Sequence, residues 1–185
     1  MHNLPNLISL MRLLMVPLTV WLIISGAFVW AFVAFLVAGL SDGIDGFLAR
    51  RFGWRSTLGA YLDAVADKAL LVSIFITLGF LHMIPVWLVL VVVSRDVLIV
   101  GAAFLSRLMD QPVRVVPLMV SKVNTVAQIL FMVTVLGAAA ARLPLVEIVT
   151  LGGIPVALLT LLSGAAYLFA WLRHMAGNDR EERRP

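Results

Sequence analysis

The feature that most constrains this chain is a succession of apolar stretches of bilayer length, separated only by short polar breaks. A hydrocarbon core of about 30 Å takes roughly 20 helical residues rising 1.5 Å each. The run from Leu13 to Leu40 is too long for one crossing and contains Ser25-Gly26, so it predicts a hairpin of helices near 8–24 and 27–49. A break at His82 to Pro85 divides the next run into helices near 57–81 and 86–107, with Pro85 in a first-turn position that tolerates it. The last two are expected near 122–141 and 146–173, divided by Arg142-Leu143-Pro144. The expected fold class is an all-α integral membrane protein with six transmembrane helices.

Composition agrees: 62% of the 185 residues are apolar and 13% charged, with mean hydropathy +1.06. Water-soluble domains hold about 45–50% apolar residues. Met1 to Pro5 carry no basic n-region, so no cleaved signal is expected. Without cysteine there is no disulfide framework, thiolate site or thiol nucleophile, and any metal must use carboxylate or imidazole ligands. The 14 bases against 10 acids do not form one patch, so no nucleic-acid partner is expected.

The bases sort by side instead. Arg50, Arg51, Arg55, Arg107, Arg114, Lys122, Arg173, Arg180, Arg183 and Arg184 fall at one set of helix ends, with Arg12 near them; the opposite ends hold only Arg142. Short cytoplasmic loops are enriched in Lys and Arg, which predicts a multi-pass protein of the cell (inner) membrane, or an equivalent organelle membrane, with both termini cytoplasmic. One transmembrane domain over 1–176 is expected, then a polar, solvated tail over 177–185, with no internal repeat. Trp21, Trp30, Trp54, Trp87 and Trp171 read as interfacial anchors, and His82, far from every acid, as structural.

Four carboxylates break the apolar pattern: Asp42, Asp45, Asp63 and Asp67, all in or at the cytoplasmic ends of predicted spans. Each Asp at mid-membrane costs about 2.5–3.5 kcal/mol, so something must compensate them. One alternative is that they cap helices or pair with Arg50, Arg51, Arg55 and Lys68. The spacing favours another. Asp42 and Asp45 lie three residues apart, Asp63 and Asp67 four, so each pair shares a helix face with Cβ atoms about 5–6 Å apart. A short loop joins the two helices as antiparallel neighbours, and both pairs reach a similar depth. Four converging carboxylates repel one another unless cations enter, and hard oxygen ligands suit two Mg²⁺ or Mn²⁺ ions, with phosphates filling the remaining positions. This outlines a two-metal phosphoryl-transfer site whose active side faces the cytoplasm. Gly43 and Ala60 suit close helix packing. Gly46 and Gly59 lie so near the proposed ligands that a larger side chain there would block a nucleotide.

Asp42-x-x-Asp45-Gly46-x-x-Ala49-Arg50, then eight residues, Gly59, three residues, Asp63, three residues and Asp67 is similar at every specified position to the signature of the CDP-alcohol phosphatidyltransferase family. Eight specified residues in 26 positions make the match far more specific than a short glycine motif. The resemblance implies six transmembrane helices with a short N-terminal juxtamembrane segment. It implies that Asp42, Asp45, Asp63 and Asp67 bind two divalent ions, with Asp67 also the general base. It implies a CDP-lipid donor, CDP-diacylglycerol, held by Gly46, Arg50 and Ser56, with Ala49 and Gly59 in the same subsite and Asn6 of Pro5-Asn6 near the nucleotide. Lys68, beside Asp67 in sequence but on another face, is expected to be a packing or ion-pair residue.

Within the family, Ser94-Arg95-Asp96-Val97 and Ser121-Lys122-Val123-Asn124-Thr125 resemble the CMP-forming cardiolipin synthases more than the phosphatidylglycerophosphate synthases, which more often show Arg-Glu and Gly-Lys-x-Lys-Thr there. This implies phosphatidylglycerol as acceptor, with glycerol 3-phosphate as the alternative. Arg95, Arg107 and Lys122 are then expected to line the acceptor pocket. Asp96, on an adjacent face, is expected to be a poor partner for Arg95, and Arg107 is equally suited to snorkelling to the interface. Homodimerisation is left open. A transporter would place its acids near the midplane, often at broken helices, and a purely structural subunit gains nothing from clustered carboxylates.

Overall fold

The computed structural model describes the backbone of residues 4–52, 57–108 and 119–181, and side-chain surroundings within 11–41, 68–101 and 119–172. Six α-helices follow in order: α1 (Leu4–Ile24), α2 (Phe28–Phe52), α3 (Thr57–Phe80), α4 (Val86–Leu108), α5 (Met119–Ala140) and α6 (Leu145–Glu181). No strand occurs among the described residues. The all-helical expectation therefore holds, with two departures at the ends. Helix α1 begins at Leu4, so Pro5-Asn6 lies in its first turn instead of in a separate juxtamembrane segment; first-turn N–H groups have no intrahelical partner, and proline costs little there. Helix α6 continues through Glu181, past its expected end near 173 and into the stretch read as a tail, because no proline intervenes before Pro185.

Among the described residues, Met119–Ala140 and Leu145–Leu172 are long and apolar enough to cross a bilayer, and α1, α2 and α3 contribute the shorter apolar stretches Met11–Ile24, Phe28–Ser41 and Lys68–Phe80. Their surfaces are as apolar as their interiors: Phe80 is 79% exposed and Val146 78%. In water such surface would drive association; in lipid it is at equilibrium. Trp21, Trp30 and Trp87 are exposed near helix ends, as interfacial anchors would be.

The chain forms two compact units, one of Met1–Val86 with Met132–Val149 and the other of Trp87–Phe131 with Thr150–Pro185. In the first, α1 packs against both α2 and α3. Ala31, Ala34, Phe35 and Ala38 are buried along one stripe of α2, and the small side chains let a neighbouring backbone approach. Ile23, Ile74, Phe75 and Leu78 complete that core. Three helix ends in this unit use one device. The N–H groups of Gly26 and Ala27 bond back to Ile23 and Leu22, those of His82 and Met83 to Gly79 and Leu78, and those of Arg142 and Leu143 to Ala139 and Ala138. This is the paired bonding of a helix closed by a left-handed residue, with φ of 73° at Gly26, 58° at His82 and 56° at Arg142. His82 is thus a helix stop, the structural role expected of it.

In the second unit Leu88, Val92, Phe131, Val156 and Ala157 form an apolar core beside buried polar residues. Gly152 is essential to its packing, since a Cβ there would lie 2.9 Å from Cδ2 of Phe131, whereas at Gly101 it would meet nothing within 4 Å. Gly152→Ala is expected to destabilise the fold by about 1–3 kcal/mol through overpacking. Gly101→Ala should be neutral or stabilise by up to about 1 kcal/mol, through helix propensity. Thermal melting of both variants in detergent checks the contrast, and equal melting temperatures would remove Gly152 from the packing account.

Candidate functional site

Both acidic pairs lie within uninterrupted helix, Asp42 and Asp45 in α2 and Asp63 and Asp67 in α3. The helix bounds set their distances from the α2–α3 connection. Asp45 stands seven residues before the end of α2 at Phe52, and Asp63 six after the start of α3 at Thr57, about 10 Å along each axis. Asp42 and Asp67 each stand ten residues from those ends, about 15 Å. Counted along each helix, Asp45 and Asp63 therefore stand at one distance from the connection and Asp42 and Asp67 at another. Continuous helix preserves the three- and four-residue spacing that puts each pair on one face.

Gly46, Ala49 and Arg50 follow within α2, and Gly59 precedes Asp63 in α3. Asn6 lies in the first turn of α1, which the tight α1–α2 turn returns to the same end of the unit as the α2–α3 connection. The side chains of Asn6, Asp42, Asp45, Gly46, Ala49, Arg50, Gly59, Asp63, Asp67 and Arg107 lie outside the described residues, as does all of Ser56. The donor set itself fits a divalent ion. It offers four hard carboxylates with no thiolate or imidazole among them, in helices whose apolar character demands a neutralising charge. A hollow of about 440 Å³ lined by Gly26 to Trp30, Ala139, Ala140 and Arg142 lies at the other end of α2, about 21 Å along the helix from Asp42, and contains no acid.

The second unit holds a buried polar cluster around one arginine–aspartate ion pair. Arg95 of α4 is 5% exposed, and its Nη1 donates to Oδ1 of Asp96 at 2.6 Å. Its Nε and Nη2 donate to Oγ of Ser163 at 3.3 and 2.8 Å, Nη2 also donates to Oγ of Ser121, and the guanidinium lies 5.9 Å from the Tyr167 ring centroid. Four of the five guanidinium N–H groups are thereby engaged, two on Nη2 and one each on Nε and Nη1. The expectation that Asp96 makes a poor partner for Arg95 is overturned. Adjacent helix residues project about 100° apart, but the long arginine side chain reaches around to the carboxylate once both are withdrawn from water.

Lys122, next to Ser121 on α5, is exposed and stands outside this network. Of the three bases expected to line one acceptor pocket, the described contacts place Arg95 alone in a built polar site. Sequence inspection missed Ser163, Tyr167, Gln128 and Thr160. The signal was available: Thr160, Ser163 and Tyr167 recur at helical spacing in α6, as do Ser121, Asn124 and Gln128 in α5.

Described residues that form only helices, two of them long and apolar enough to cross a bilayer, with a carboxylate quartet on two others, are the class these observations define. The family model for CDP-alcohol phosphatidyltransferase matches residues 2–172, and the chain belongs to that family. It is similar to a cardiolipin synthase (CMP-forming) of Homo sapiens, 35% identical over 152 residues, which cover 74% of this chain and 50% of the relative. It is similar also to the chloroplastic CDP-diacylglycerol–glycerol-3-phosphate 3-phosphatidyltransferase 1 of Oryza sativa subsp. japonica, 36% identical over 151 residues, 72% of this chain and 46% of the relative. A cardiolipin synthase (CMP-forming) of Streptomyces coelicolor is 38% identical over 112 residues, covering 57% and 52%. The chain spans about half the length of these curated relatives.

Proposed function

We propose that this protein is a six-span membrane phosphatidyltransferase that moves the phosphatidyl group of CDP-diacylglycerol onto phosphatidylglycerol, forming cardiolipin and releasing CMP. The observation that carries this reading is the carboxylate quartet, two acids each on α2 and α3 at matching distances from the ends of those helices. Family membership supports a divalent requirement, and two Mg²⁺ or Mn²⁺ ions held by Asp42, Asp45, Asp63 and Asp67 would supply charge neutralisation for the donor's pyrophosphate. Around them Arg50 holds a phosphate as a bidentate fork. Asn6, Ser56, Gly46, Ala49 and Gly59 shape the nucleotide subsite. Asp67 takes the proton of the acceptor hydroxyl as its oxygen attacks the phosphatidyl phosphorus; the bond from that phosphorus to the bridging oxygen breaks, and CMP leaves with the electron pair. The basic helix ends support a site on the cytoplasmic side of a cell membrane, with residues 1–176 as the catalytic domain.

The acceptor assignment rests on the human and Streptomyces relatives and on the Ser94-Arg95-Asp96 and Ser121-to-Thr125 segments. Arg95, Arg107 and Lys122 supply positive charge to the acceptor. A membrane-resident diester needs less of it than the monoester glycerol 3-phosphate, and four of Arg95's N–H groups are already committed within the protein. The rice relative keeps glycerol 3-phosphate as the second acceptor to test. Purified protein given labelled CDP-diacylglycerol with both acceptors should accumulate cardiolipin and CMP. Accumulation of phosphatidylglycerophosphate without cardiolipin would reverse the acceptor assignment and leave the family intact.

A further inference from the structure

One turn along α5 from the Arg95 cluster, the second unit contains three buried polar side chains whose hydrogen bonds do not balance. Asn124 and Thr160 are wholly buried and Gln128 is 1% exposed. The Thr160 hydroxyl oxygen lies 2.7 Å from the Val156 carbonyl and 2.9 Å from Oδ1 of Asn124, and Nε2 of Gln128 donates to it at 3.3 Å. A hydroxyl has one proton, so it donates to Val156 or to Asn124 but not to both. If it donates to Asn124, Nδ2 of Asn124 and Oε1 of Gln128 remain buried without a partner. If it donates to Val156, the Asn124 amide must turn over so that Nδ2 faces Thr160, and two amide oxygens are then left without donors. In both arrangements two amide atoms are short of a partner.

Each such group costs about 1–3 kcal/mol when buried dry, so a structure keeps the pair only if something fills it. The two amides stand four residues apart on one face of α5, and the far atom of each is within about 5.6 Å of the same Thr160 oxygen, adding the span of an amide to the hydrogen bonds above. A cation would face the Nδ2 donor in the first arrangement, and a carboxylate would face the Oε1 acceptor. In the first arrangement only a group carrying both a proton and lone pairs serves the two atoms together; in the second the two oxygens need two protons, which a water supplies. We propose that Asn124, Gln128 and Thr160 form a hydroxyl-binding subsite between α5 and α6. Its occupant is one hydroxyl, from a resident water or from the glycerol head group of the acceptor. The acceptor source rests on the reaction proposed above; the subsite itself does not.

The test uses the full chain in lipid nanodiscs with Asn and Gln side-chain nitrogens labelled. Solid-state NMR transfer from water protons to the Asn124 and Gln128 amides, without substrate, is expected for a resident water. Transfer replaced by contact with head-group protons when phosphatidylglycerol is added identifies the acceptor as source. Absence of transfer to both amides in both states overturns the proposal. Gln128→Met, similar in shape and apolar, reads the same site by function. An acceptor subsite predicts about a tenfold rise in KM for phosphatidylglycerol with KM for CDP-diacylglycerol unchanged, and a water site predicts a lower melting temperature with both KM values unchanged. A variant that is at least as stable as the parent and kinetically identical to it also overturns the proposal. If phosphatidylglycerol is not turned over at all, the reaction assignment fails, while the water arm of the NMR experiment still decides the subsite.

Discussion

Asp67→Asn is expected to lower kcat at least about 100-fold while the protein still inserts and folds, because a positioned base contributes 10²–10⁴-fold and removal of an intramembrane charge does not oppose insertion. The amide keeps the shape and one ligating oxygen but cannot accept the acceptor's proton. Asp42 stands as far from its helix end as Asp67 does, and Asp42→Asn should lose comparable turnover through weaker ion binding, so donor affinity separates the two. Asp67→Asn should retain CDP-diacylglycerol binding better than Asp42→Asn, and equal loss of affinity would make Asp67 chiefly a ligand. Chelation should abolish the parent activity and Mg²⁺ or Mn²⁺ restore it, with Ca²⁺ supporting little turnover, since it is larger and less demanding of octahedral geometry. Turnover undiminished in chelator would remove the metal account.

The second large effect is expected at the buried ion pair. Asp96→Ala removes the carboxylate that sits 2.6 Å from the Arg95 guanidinium, where the side chains are 4% and 8% exposed. Stripping one partner from a buried pair typically costs 3–5 kcal/mol, because the remaining charge stays desolvated, and in a chain of this length each kcal/mol shifts the melting temperature by about 2–4 °C. Replacing both partners behaves differently. Arg95→Met with Asp96→Leu should recover most of the lost stability, since apolar substitutes for a whole buried pair are often neutral or better. Turnover then separates stability from substrate contact. A stable double variant with a raised KM for phosphatidylglycerol supports Arg95 in acceptor binding; a stable double variant with parental kinetics makes the cluster purely architectural.

The helices and the two carboxylate pairs were legible from residue order because both are local. Apolar length sets where a helix spans, and three- or four-residue spacing puts Asp42 with Asp45 and Asp63 with Asp67 whatever packs around them. Helix ends were less legible. Neither Leu4 nor Glu181 marks a hydropathy boundary, because a helix continues wherever its backbone bonds can, and polarity alone does not end it. His82 and Arg142 were visible as breaks, but their left-handed conformation depends on backbone bonds closing across the turn.

What the sequence determined by itself is the helical, lipid-suited character of the described chain and the spacing of the carboxylate pairs on α2 and α3, since composition and short-range periodicity are properties of the covalent chain. What the tertiary structure alone decided is the partnership of residues remote in sequence: Arg95 with Ser121 and Ser163, and Asn124 and Gln128 with Thr160. Those side chains lie 26 to 68 residues apart. Spacing within a helix fixes which face each residue occupies, but only the packing of α4, α5 and α6 fixes which faces meet. Burial then turns that meeting into a requirement, because a polar group withdrawn from water must find its partner within the protein or in a bound hydroxyl.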